Sequence, residues 1–160
     1  MTHNKMSGVW VLFYLALSIF ITSCGEDDPP IDVDNCPQAA VGKMIAENDS
    51  ADWGPASATA STAGSVLVIS ASTPTGSTIQ LSANSLSAGT YSLTGGQATF
   101  IPGGASITAF VSNAGTLQIT AYSNNKVSGD FEFTGTAFNA TTGQQENHTI
   151  TCGSFTDVSL

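Results

Sequence analysis

Arginine is missing from all 160 residues, and the only basic side chains are Lys5, Lys43 and Lys126. Twelve Asp and Glu stand against them, for a formal charge of −9. Gripping a phosphate backbone or docking on anionic lipid depends on Lys and Arg, so neither nucleic acid nor an anionic bilayer is an expected electrostatic partner. Charge of either sign is scarce, at 9% of residues against about 25% in an average soluble domain. Ser, Thr, Gly, Ala and Asn take its place, a composition that suits an exported β-domain with hydroxyls on its outer faces. The apolar run of about 20 residues that a spanning helix needs is missing too. So is any window of helical length with a 3.6-residue period, and so is the Gly-x-Ser-x-Gly elbow of a serine hydrolase.

What the N-terminal stretch does hold is a polar start with Lys5, an apolar run from Val9 to Ile21, then Thr22, Ser23 and Cys24. That order is the anatomy of a secretory signal, with a short signal helix over the apolar run. Ile21-Thr22-Ser23-Cys24 resembles the bacterial lipobox. The resemblance implies a diacylglycerol on the Cys24 thiol, cleavage just before it, and a further acyl chain such as palmitate on the new amine. Several chains give a stable anchor where one is marginal. Glu26, Asp27 and Asp28 follow at once, similar to the acidic signal that sends Bacteroidota lipoproteins to the outer face of the outer membrane. Pro29-Pro30 then bars helix and keeps the chain extended. The expected organisation is a signal peptide over 1–23, a lipidated flexible acidic tether over 24–42 and one all-β domain over 43–160.

With Cys24 lipidated, Cys36 and Cys152 remain. An even pair in an exported chain favours a disulfide, with free thiols as the alternative. Zinc would need four ligands, and two cysteines with His148 are too few. No metal and no cofactor are expected.

From Lys43 onward the chain reads as short strands punctuated by turn residues. Lys43–Ala46 and Ala51–Trp53 form an opening hairpin across Asn48-Asp49-Ser50, and Ser57–Thr62 gives a weaker strand signal. Ser65–Ala71 is rich in β-branched residues and ends at Pro74-Thr75-Gly76. Thr78–Leu81 places Ile79 and Leu81 on one face. Gly89–Leu93, Ala98–Ile101 and Ser106–Val111 follow, and Ser112–Gly115 reads as a loop. Next, Thr116–Tyr122 turns Leu117, Ile119 and Ala121 inward. In Val127–Phe133 the residues Val127, Phe131 and Phe133 face in, with Ser128, Asp130 and Glu132 in water. After a polar loop near 141–146, His148, Ile150 and Cys152 share one face of a last strand. The fold expected is a single antiparallel β-sandwich or flattened barrel of about eight to ten short strands.

Four segments in order, Gly89–Leu93, Gly115–Thr120, Val127–Thr134 and Thr149–Phe155, resemble a domain family of unknown function found in Bacteroidota lipoproteins. The likeness covers about Lys43 to Val158 and departs from the pattern at Asp130 and Cys152, where a small neutral residue and a turn former are expected. It offers no catalytic residues. The function expected is a non-catalytic binding module at the outer membrane or cell surface, taking a glycan or a protein ligand and acting as a monomer. A structural coat component is the alternative, and an enzyme comes third. Trp53 and Tyr122 are candidate sugar-stacking aromatics, although aromatics in β-domains more often belong to the core. His148 reads as a core or rim residue. Asp130 and Glu132, two apart on one strand, read as a solvated face and not as a pair for glycoside hydrolysis.

Overall fold

The computed structural model describes residues 35–104, 108–139 and 142–160. The expected signal helix, Cys24 and Glu26-Asp27-Asp28 lie outside the described residues. Nine strands follow one another: β1 (Lys43–Asn48), β2 (Ala51–Ala63), β3 (Val66–Ser72), β4 (Thr78–Ala83), β5 (Gly89–Ser92), β6 (Ala98–Ile101), β7 (Phe110–Ser123), β8 (Lys126–Asn139) and β9 (Gln144–Ser159). Every ladder between strands is antiparallel. The order β6-β4-β3-β2-β1-β9-β8-β7 closes on itself through β6 and β7, making an eight-stranded barrel, and β5 is an extra strand on β7. Of sandwich and barrel, the chain forms the barrel.

Alternation fills the interior. Leu67, Ile69, Ala71, Ile79, Leu81 and Ala83 of β3 and β4 are all at most 2% exposed, while their sequence neighbours face out. Met44, Leu93, Phe100, Leu117, Phe131, Ile150 and Phe155 complete one continuous core. Each such side chain, once buried, contributes about 1.5–3 kcal/mol. Phe131 fits because Gly153 faces it: a Cβ there would stand 2.5 Å from the ring. These side chains form one buried apolar cluster inside the barrel.

Several local expectations change. The strands are not all short, since β2, β7, β8 and β9 run 13 to 16 residues. Ser112–Gly115 is not a loop but the early part of β7, where the strand leaves β6 and meets β5. Its small polar residues serve that transition. Ser112 is buried and its hydroxyl accepts from Ala98 N–H at 2.8 Å, while Gly115 stands at φ +139° against β8. Part of Ser106–Val111 lies outside the described residues, and β7 begins only at Phe110. Ala121 is exposed because a bulge between Ile119 and Ala121 shifts the alternation, so Tyr122 packs on the core instead. β9 likewise starts at Gln144, inside the stretch expected to be loop.

The largest correction concerns Cys152 and Asp130. Cys152 has φ +50° at a register shift opposite the step from Phe131 to Phe133, so it breaks from the face shared by His148 and Ile150. It bonds Cys36 across 116 residues of sequence, with Cα atoms 5.0 Å apart. That disulfide ties the segment before β1, expected as tether, to the barrel wall. Ala39 N–H donates to Ser154 Oγ at 2.9 Å, Ser154 Oγ donates to Pro37 O, and Val41 bridges Thr156. Asp130, paired in register with Ser154, is therefore 8% exposed and not solvated. Burial pushes its carboxyl above the usual carboxylate range, partly opposed by a hydrogen bond from Gln38.

Candidate functional site

A mismatch in strand length opens the site. β2 has 13 residues and β3 has 7. Their ladder begins only at Ser57↔Ser72, so the first residues of β2 pair with β1 on one edge and with no strand on the other. The β1–β2 turn has two residues, Asp49 at φ +50° and Ser50 at φ +68°. In such a hairpin the closing pair Asn48↔Ala51 exchanges hydrogen bonds and the next pair, Glu47↔Asp52, does not. The backbone N–H and C=O of Asp52 therefore point toward the open edge.

That gap in the wall, between β2 and the β3–β4 turn, is a cleft of about 430 Å³ at one end of the barrel. Trp53 and Phe100 form its floor, Pro74, Thr75 and Pro102 one side, and Asn48, Ala51 and Asp52 the other. Trp53 is 7% exposed, and its indole N–H donates to Ser77 Oγ at 2.7 Å. Ser77 in turn donates to Ile101 O at 3.0 Å, so the floor's polar atoms are satisfied. A smaller hollow of about 220 Å³, lined by Pro37, Ile45 and Pro55 among others, shares Asp52, Trp53 and Gly54 with the cleft. A shallow groove of about 270 Å³ runs over β7, β8 and β9 beside Gly115 and Glu132.

Behind the cleft floor sits His148. Its ring meets Phe110 edge-on at 4.3 Å and Phe100 at 5.2 Å. Nδ1 faces two acceptors, Asp49 Oδ2 at 2.6 Å and Asn48 Oδ1 at 3.0 Å, so Nδ1 carries the proton. Asp49 also accepts from Thr149 N–H at 2.9 Å. His148 is thus a rim residue locked to the first turn, and it does not line the cleft. Sequence reasoning left His148 between core and rim and missed Asp49 as its partner, a contact that depends on the pairing of β1 with β9.

The two candidate stacking aromatics are not brought together. Trp53 is at the cleft end, while Tyr122 flanks the β7–β8 turn at the opposite end, half-buried against the core. Asp130 is covered on the outer wall, apart from the half-buried Glu132 in the groove. No group of three or more His, Cys, Asp or Glu suited to a metal occurs among the described residues.

Residues 42–159 match the family described as Domain of unknown function (DUF6252). The chain belongs to this family. The match spans all nine strands and agrees with the four-segment resemblance as far as a family of unknown function goes. No curated protein and no solved structure matches the chain. Membership in DUF6252 carries no assigned activity, so chemistry has to be read from the cleft.

Proposed function

We propose that this protein is a lipid-anchored envelope lipoprotein of Bacteroidota type whose DUF6252 barrel is a non-catalytic binding module, presenting its ligand site on the outer membrane's exterior face. The observation that carries the binding reading is the 430 Å³ cleft at one end of the barrel. Its size falls in the range of small-ligand sites, and it combines an aromatic floor with a few polar groups. One continuous apolar cluster occupies the barrel, and the cleft that opens to solvent lies at its end. The anchor reading rests on the lipobox residues Ile21–Cys24 and the acidic Glu26-Asp27-Asp28.

Two measurements test this. For the anchor, Cys24→Ala should abolish acyl labelling and shift the protein to the soluble fraction; unchanged labelling and partitioning sink the lipobox reading. For the site, Thr75→Trp fills the cleft from an exposed turn position. A fragment screen by ligand-observed NMR should give hits on the native chain that the filled variant loses. Identical hit lists contradict a cleft-based function and favour the coat-component reading, which the continuous apolar core also suits.

A further inference from the structure

We infer that the cleft takes a neutral saccharide, an inference that rests on the binding reading above and names its ligand class. Charge is the first argument. Lys43 bonds Ser57 Oγ and Lys126 pairs with Asp157, and neither lysine lines the cleft. Among the described residues no cation borders the cleft, so phosphate, sulfate and uronate ligands have nothing to neutralise them.

Hydrogen-bonding capacity is the second. The Asp52 side chain is exposed and has no hydrogen-bond partner among the described residues. Its backbone N–H and C=O point to the same open edge, as the hairpin register requires. A carboxylate with an adjacent backbone donor and acceptor suits vicinal hydroxyls, which both donate and accept. On the facing turn Thr75 adds a hydroxyl, held at 2.8 Å by Thr73, whose own hydroxyl also accepts from Ser77 N–H at 3.1 Å. A charged amine would use the carboxylate but leave these neutral groups idle.

Shape is the third. Pro74 and Pro102 border the cleft with apolar rings, over a floor of the nearly buried Trp53 and Phe100. A sugar ring offers an apolar C–H face on one side and hydroxyls around its rim, the same division found between floor and walls. Trp53, at 7% exposure, gives the ligand an edge and not a stacking platform. An extended peptide pairing with the open edge of β2 would run into the β3–β4 turn, which closes one end of the gap.

The test uses the full-length chain in detergent with Trp10→Phe, which leaves Trp53 as its one tryptophan. Probes are neutral gluco-, manno-, galacto- and xylo-oligosaccharides, an oligogalacturonate, a neutral decapeptide and an oligolysine, with Trp53 emission as readout. At least one neutral oligosaccharide should give a saturable change, weakened tenfold or more by Asp52→Ala and abolished by Thr75→Phe, which fills the cleft without adding a tryptophan. The oligogalacturonate should give none. Saturation by the peptide or the oligolysine instead, still abolished by Thr75→Phe, overturns the saccharide class and leaves the cleft reading standing. A saccharide response unaffected by Thr75→Phe overturns the site. Silence from all probes up to about 10 mM overturns the inference, and the fragment screen then decides on the cleft separately.

Discussion

Trp53 on β2 and Ser77 at the entry to β4 belong to strands that never pair, with β3 between them, yet the indole N–H reaches the serine hydroxyl at 2.7 Å. The bond bridges the gap that the shorter β3 leaves, and Ser77 passes it on to Ile101 O. The cleft floor is therefore held by a polar relay in an apolar setting.

Removing that hydroxyl should cost more than a surface change. Ser77→Ala leaves the Trp53 N–H unpaired where water reaches it poorly, a loss of about 1–3 kcal/mol. Urea unfolding of the Trp10→Phe chain measures it, and Trp53 emission should shift in the folded state. An unchanged midpoint and spectrum would show that the bond does not hold the floor.

The Cys36–Cys152 disulfide closes a very long loop. The chain-entropy account assigns such a closure about 4–5 kcal/mol, and measured values are often lower. Replacing both cysteines by serine should lower stability by several kcal/mol and make Pro37–Ala39 a site of proteolytic nicking. A difference of two hydrogens in intact mass on reduction checks the bond itself.

Gly115 and Gly64 both have positive φ, but only Gly115 is crowded. A Cβ on Gly115 would press on the Glu132 carbonyl and stand 2.5 Å from Phe133, whereas one on Gly64 meets nothing. Gly64→Ala should cost about 1–2 kcal/mol of backbone strain alone. Gly115→Ala should cost at least twice that or prevent folding, because β7 cannot move off β8 without opening the barrel. Equal losses would contradict the close approach.

Asp130 is penalised when ionised, because burial raises its carboxyl above the ordinary value. With the folded pKa above the unfolded one, the folded state is relatively favoured below the ordinary Asp range. That advantage is lost as pH rises through the raised value. Asp130→Asn keeps a hydrogen-bonding group for Gln38 and removes the charge. It should raise the melting temperature at pH 7, with the gain shrinking as the pH falls toward 3.8. A gain that grows on acidification would reverse the sign and the explanation.

Much of the architecture was legible because alternation is a direct readout of which face meets the core. Ile79 with Leu81, and Phe131 with Phe133, announced their strands without ambiguity. What alternation cannot announce is where it breaks. Cys152 and Ala121 changed face at bulges, and Ser112–Gly115 looked like a loop because the corner of a long strand needs the same small residues as a turn. The cleft was illegible for another reason. It arises from unequal lengths of β2 and β3 and from the Trp53–Ser77 contact across the gap between strands that do not pair, which alternation within one strand does not reveal. Cys152 is an instructive case: the family pattern called for a turn former there, and the residue stands at φ +50°.

The central claim is that ligand meets this protein at the cleft beside Trp53. Amide chemical-shift mapping of the full-length chain in detergent, titrated with the oligosaccharide that gives the strongest Trp53 response, tests it directly. The account predicts shifts concentrated at Asn48–Gly54 and Thr73–Ser77, with the β7–β8 turn around Asn124 silent. Shifts centred on the groove at Gly115, or spread evenly over the barrel, would contradict it.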